Sequence, residues 1–148
     1  MINKKKIKDS LEQLIANKVY SLLEDVKLLD DSAANETKSS AGDKYETSRA
    51  MLQQEKDKKL GQLDLWYSHQ AALKLLDTAK HDTIQLGSVV ITQTNVLYVS
   101  APAGKFQSEG KQVFAISNEA PLYQVLAGYG KDDQVSFNGR MIKIVDVL

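Results

Sequence analysis

The chain contains no cysteine. Disulfides, thiolate zinc sites and every cysteine-nucleophile mechanism are therefore excluded, thioester-forming condensing enzymes among them. Histidine is almost as scarce: His69 and His81 are too few and too far apart for a usual histidine-rich zinc site. A surplus of either charge is missing too. Lysine plus arginine and aspartate plus glutamate both number 19, so the formal net charge is zero. The balance is also local: residues 1–80 carry 14 basic and 13 acidic side chains, and residues 81–148 carry 5 and 6. Nucleic-acid binders draw affinity from phosphate neutralisation and usually show a basic surplus, so direct sequence-specific DNA binding is not expected. No apolar run approaches the length of a membrane span. The basic start MINKKKIKDS runs into an amphipathic pattern with acids, not a signal-peptide core. The expectation is a cytoplasmic protein with no membrane partner.

No glycine or proline interrupts the stretch from about Lys4 to Ala34. Its apolar positions are Ile7, Leu11, Ile15, Val19, Leu22, Val26, Leu29 and Ala33, spaced to trace one face of a helix. Such a helix would be roughly 45 Å long, too long for a small core to cover, so it needs a partner helix. About Asp43 to Thr78 is the partner, with a broken stripe of Leu52, Leu60, Leu63, Trp66, Leu73 and Leu76. Two antiparallel helices joined by a short turn bury each other's stripes. Trp66 and Tyr67 read as packing at the base of this hairpin and His69 as a solvated helix residue. Gly61 lies inside the second helix, at a cost of about 1 kcal/mol relative to alanine.

After His81 the pattern becomes β-branched and alternating. Strands are expected in Gly87–Thr92, Asn95–Ala101, Gln112–Ser117, Gln134–Gly139 and Arg140–Leu148. Phe137-Asn138-Gly139-Arg140 reads as a two-residue hairpin turn. Ala120–Gly128 reads as one short helix, with Pro121 in its first turn and Gly128 just past its end. The fold class is thus α+β. An antiparallel coiled-coil arm over 1–80 precedes a small β-rich domain with one short helix over 81–148.

The bend of the arm, near 39–47, holds two carboxylates three residues apart, Asp43 and Glu46. One reading is structural: Ser40-x-x-Asp43 fits a capping box, and acids in a first helical turn suit the macrodipole. The other is that the pair shares a hard cation. Mg²⁺ often takes one or two protein carboxylates and completes its shell elsewhere.

The arrangement resembles the Gre family of bacterial transcript-cleavage factors. That family's tip pattern, G-D-x-x-E-N-A-E-Y, is matched by Gly42-Asp43-Lys44-Tyr45-Glu46. Its S-P-I-A-R-A-L-I-G-K-x-V-G-D-E-V stretch is similar to the run from Ala120-Pro121-Leu122 to Gln134-Val135, and Gly87-Ser88-Val89-Val90 is similar to its Gly-Ser-x-V opening. Where the family has Asn-Ala-Glu-Tyr, this chain has Thr47, Ser48, Arg49 and Ala50. Lys44 replaces a typically apolar residue, and Lys38 is the nearest match to an arginine before the tip.

The resemblance implies an FKBP-like second domain and an RNA polymerase partner approached through the secondary channel. Pro121 and Leu122 would lie in the docking domain. Asp43 and Glu46 would act catalytically by helping to hold a Mg²⁺ ion shared with the polymerase, promoting cleavage of backtracked RNA. Lys44, Tyr45 and Arg49 would be tip contacts, and nascent RNA would be met only within the elongation complex. The chain would be a stimulator of the polymerase's own cleavage, not an enzyme. Two alternatives stay open: a Gre paralogue that binds polymerase without stimulating cleavage, and a structural coiled-coil adaptor with no polymerase link.

Overall fold

The computed structural model describes residues 1–36 and 42–148, with side chains described for 1–35 and 46–148. Helix α1 spans Lys4–Glu36 and α2 spans Gly42–Lys74. The chain divides into two compact units: Met1–Leu14 with Gln70–Leu148, and Ile15–His69. The sequence boundary near residue 80 follows secondary-structure class. The compact units instead keep both helix ends at the hairpin base with the sheet.

Within Ile15–His69 the helices run antiparallel. Asp25 pairs with Lys59 at 3.3 Å and Asp30 with Lys56 at 2.6 Å, so ascending numbers on one helix meet descending numbers on the other. Ile15, Val19, Leu22 and Leu63 are buried; Val26, Leu29, Ala33, Leu52 and Trp66 are half-buried. Burial thus fades toward the bend, as the stripe predicts. The α2 stripe is thinner than expected: Leu60 is 38% exposed. Lys56 and Lys59 occupy the seam instead, with stems half-buried and ammonium groups paired across it.

In the other unit, Asn3 caps α1. Its Oδ1 accepts the Lys6 N–H at 3.1 Å, and its carbonyl accepts the Ile7 N–H at 3.0 Å. Helix α2 stops at Lys74, not Thr78. Its last turn tightens through i→i−3 bonds from Leu75 and Leu76, and the Asp77 side chain then accepts the Ala79 N–H at 3.1 Å.

The strands are β1 (Val89–Thr92), β2 (Val96–Val99), β3 (Gly104–Ser108), β4 (Lys111–Ile116), β5 (Gln134–Phe137) and β6 (Arg140–Val147), with α3 (Pro121–Leu126) between β4 and β5. Their order in one sheet is β3-β4-β2-β1-β6-β5, and β2 with β4 is a parallel pair. The expected strands are all present, some shorter than read. Strand β3 was not foreseen; only Phe106 and Ser108 of its five residues are buried. The Asn138-Gly139 turn has φ of 51° and 77°, the left-handed pair that a type I′ hairpin requires.

One sheet face carries Val90, Leu97, Val99, Ile144 and Val147, packed with Ile84, Val135 and Leu126 of α3. A bulge between Ile91 and Thr92 shifts the β1–β6 register. Val147 and Ile144 therefore reach the same face although three residues apart. The opposite face buries Val89, Tyr98, Phe106, Val113 and Ala115. Helix α1 meets this face through Ser10 Oγ, 3.1 Å from Ser108 Oγ, and through Lys6, 2.8 Å from Glu109. Ile7, Leu11 and Leu73 are buried at the base.

Two glycines give opposite expectations. A Cβ at Gly61 would meet nothing within 4 Å, and α2 runs straight through the position. Gly61→Ala should stabilise the chain by about 0.5–1 kcal/mol in chemical denaturation. A Cβ at Gly130 would lie 2.9 Å from the Asp82 carbonyl, where Thr83 and Gly130 form a bridge. Gly130→Ala should cost roughly 1–3 kcal/mol in the same measurement.

Candidate functional site

Helix α2 opens at Gly42, which places the backbone of Asp43 in its first turn and that of Glu46 one turn further along. Residues three apart on a helix share a face. The side chains of Asp43, Lys44 and Tyr45 lie outside the described residues. Glu46 and Arg49 are exposed, one turn apart on that face. The start of a helix carries unsatisfied N–H groups and a partial positive charge. Carboxylates are favoured there for that reason alone, and a cation must overcome the same field. Among the described residues no three acidic or histidine side chains stand together as a metal cage. Asp43 and Glu46 fit Mg²⁺ in the type of donor they offer, two hard oxygens. They do not supply a complete shell.

Below the bend, the Lys56–Asp30 and Lys59–Asp25 pairs bind α1 to α2, and Gln53 Nε2 donates to Asp57 Oδ1 at 2.9 Å. Four of these charges are thereby used within the arm.

Pro121 and Leu122 begin α3. Pro121 stands at the first helical position after Ala120, is exposed and fits there because it has no N–H to lose. Leu122 is half-buried against the core beneath α3. Pro121 therefore belongs to the surface, while Leu122 is mostly a packing residue. Neither is near Asp43 or Glu46 in sequence.

The base of the hairpin holds a polar cluster that the sequence reading did not single out. Lys4 is only 7% exposed, and its Nζ donates to the Ala79 carbonyl at 2.6 Å. Burial holds its ammonium below the ordinary lysine range, against the pull of Asp77. Lys8 Nζ donates to the Leu76 carbonyl. Both lysines thus satisfy carbonyls just past the end of α2. Tyr98 is fully buried, and desolvation, with Glu12 and Asp77 nearby, drives its phenol far above the usual range. The signal for Lys4 is present in the sequence: it continues the Ile7–Leu11 stripe backward at helical spacing. His69 is half-buried against Trp66, edge to face at 5.4 Å, and is not the solvated residue expected.

No protein-family model matches the chain, and no curated protein matches it. Solved structures do. One described as the transcription factor Gfh1 shares 17% identity over 93% of each chain, with a TM-score of 0.41. The GreA factor homolog 1 (Gfh1) protein of Thermus thermophilus shares 17% identity over 93% of this chain and 94% of that one, with a TM-score of 0.36. Gfh1 of Thermus aquaticus shares 18% identity over 88% of this chain and 94% of that one, at 0.33. At such values the likeness transfers no residue's role to this chain.

Proposed function

We propose that this chain is a Gre-like factor that acts on bacterial RNA polymerase through its secondary channel and promotes cleavage of backtracked RNA. The observation that carries the reading is the placing of Asp43 and Glu46 in the opening turns of the second of two long antiparallel helices. Each helix has 33 residues and so spans roughly 50 Å. That reach suits insertion into a deep channel. The chemistry stays with the polymerase, and this chain is a stimulator, not an enzyme.

A Mg²⁺ ion held between this tip and the polymerase would supply Lewis-acid activation of water for phosphodiester hydrolysis. The chain's own part is to bring two carboxylate oxygens into a site that already has other ligands. Lys44, Tyr45 and Arg49, beside them on α2, would orient RNA or contact the polymerase. Nascent RNA would be met only inside the elongation complex. Pro121, exposed at the start of α3, would belong to the docking surface. A cytoplasmic location follows from such a partner. No described helix is long and apolar enough to cross a membrane.

One sequence observation favours a second reading. The acids match the Gre pattern, but Thr47, Ser48, Arg49 and Ala50 replace its flank. A factor that occupies the channel and modulates transcription without stimulating cleavage would keep the arm and relax the tip.

Asp43→Asn with Glu46→Gln separates these readings from simple capping. Both changes keep shape and remove only the charges that favour the helix start, so stability should fall by about 1 kcal/mol or less. Cleavage in a stalled elongation complex should fall to the level of polymerase alone, with polymerase binding retained. Cleavage unchanged in the double variant removes the metal role. Binding by the unmodified chain with no stimulated cleavage assigns the non-cleaving reading.

Pro121→Glu tests the docking surface. An acid at the first helical position suits the dipole, so the melting temperature should hold. Polymerase affinity should drop about tenfold or more, equivalent to about 1.4 kcal/mol. An unchanged affinity places the contact elsewhere.

A further inference from the structure

Within Ile15–His69, four large apolar side chains stand in water. On α1, Tyr20 is 67% and Leu23 44% exposed; on α2, Leu60 is 38% and Tyr67 42% exposed. They share one flank of the hairpin. A helix turns about 100° per residue. Counted from the buried seam of Val19, Leu22 and Leu63, Tyr20 and Leu23 turn to the side on which Asp30 leaves α1. Leu60 and Tyr67 turn to the side on which Lys56 leaves α2. Asp30 and Lys56 pair at 2.6 Å, so those two sides are one flank. The ion pairs also fix the levels, because Asp25 stands opposite Lys59 and Asp30 opposite Lys56. Leu23 is therefore within one residue of the level of Leu60, Lys27 is level with Asp57, and Tyr20 with Asp64. Lys27, Asp57 and Asp64 are exposed on this flank and stand outside both cross-helix pairs.

We propose that this flank is a self-association surface, and that its occupant is the same flank of a second copy. A two-fold axis parallel to the helices lays α1 of each copy antiparallel on α2 of the other. Leu23 then meets Leu60, Lys27 meets Asp57, and the Tyr20 hydroxyl meets the Asp64 carboxylate, each contact occurring twice. The other face-to-face two-fold runs perpendicular to the helices. Centred on Leu23 and Leu60, it sets Asp57 of one copy against Asp64 of the other, two like charges, and so is disfavoured. The charge pattern thus selects both the occupant and its orientation. Two hairpins joined in this way make four helices, an arrangement in which exposed helical stripes are ordinarily covered. Few large side chains are buried, so the interface is small, under about 1,200 Å², and the dimer is transient. Pairing covers a flank that a polymerase channel would have to admit, so the dimer would compete with polymerase. That consequence rests on the proposed function; the pairing itself does not.

The test is sedimentation velocity of the full chain at low salt, from about 10 µM to about 1 mM. The mean mass should rise from the monomer value toward twice that value. Lys27→Glu sets a carboxylate against Asp57 at both ends of the pair and should raise the midpoint concentration about tenfold or more. Adding Asp57→Lys restores both contacts with the signs exchanged and should return the midpoint toward that of the unmodified chain. Both positions are exposed, so the arm should keep its helicity by circular dichroism in each variant. A chain that stays monomeric to the highest concentration overturns the proposal. So does a dimer whose midpoint ignores Lys27→Glu, or one that the double exchange does not recover. If the chain stays monomeric while Leu23→Ser weakens polymerase binding, the flank belongs to the polymerase and the pairing is overturned.

Discussion

Lys4, Lys5, Lys6 and Lys8 crowd the start of α1, and no acid stands in its first turn. Positive charge at a helix N-terminus opposes the helix's own dipole. Two of the four are met by the chain just past α2, one by the β3–β4 turn and one within α1 itself. Lys4 and Lys8 donate to the carbonyls of Ala79 and Leu76, and Lys5 pairs with Asp9 at 3.1 Å. Lys6 reaches Glu109 at 2.8 Å, and the pairing raises its pKa. Each of the four is thus given a partner by the fold. These contacts seat the helix ends on the sheet face that buries Val89, Tyr98 and Val113.

That constraint explains why parts of the fold were legible and others were not. The α1 stripe was readable because one face recurs for eight positions without a breaker. Helix α2 stops four residues short of Thr78, and beyond it the Leu76 carbonyl is taken by Lys8, 68 residues away in the chain. The two hairpin turns make the contrast sharper. Asn138-Gly139 and Glu109-Gly110 have the same φ values, 51° and 77°. Asparagine tolerates the left-handed region and announces its turn. Glutamate rarely does, and here the Lys6 ion pair holds it from another element. Strand β3 was hidden with that turn, since Gly104, Lys105 and Gln107 are exposed and do not alternate as a strand is expected to.

The candidate site divides in the same way. Asp43 and Glu46 were visible as residue types at a helical spacing, and the observed start of α2 agrees with that spacing. Spacing does not distinguish a cap from a ligand, because the helix start rewards carboxylates in both cases. Lys4 and His81 were passed over because their partners lie on other elements: Ala79 for one, Ser88 and Asp77 for the other. Leu122, which the motif resemblance places in a docking domain, is half-buried against the core, so the same motif also serves packing.

In the proposed function, a hairpin of this length with two acids in the opening turns of its second helix serves a polymerase. The most direct measurement is binding of the purified full chain to core RNA polymerase at physiological salt, with free RNA as the comparison. The account predicts saturable binding to polymerase and negligible binding to RNA, because the chain carries no net charge with which to hold a bare phosphate backbone. No association with polymerase, or tight salt-sensitive binding to RNA alone, would contradict it.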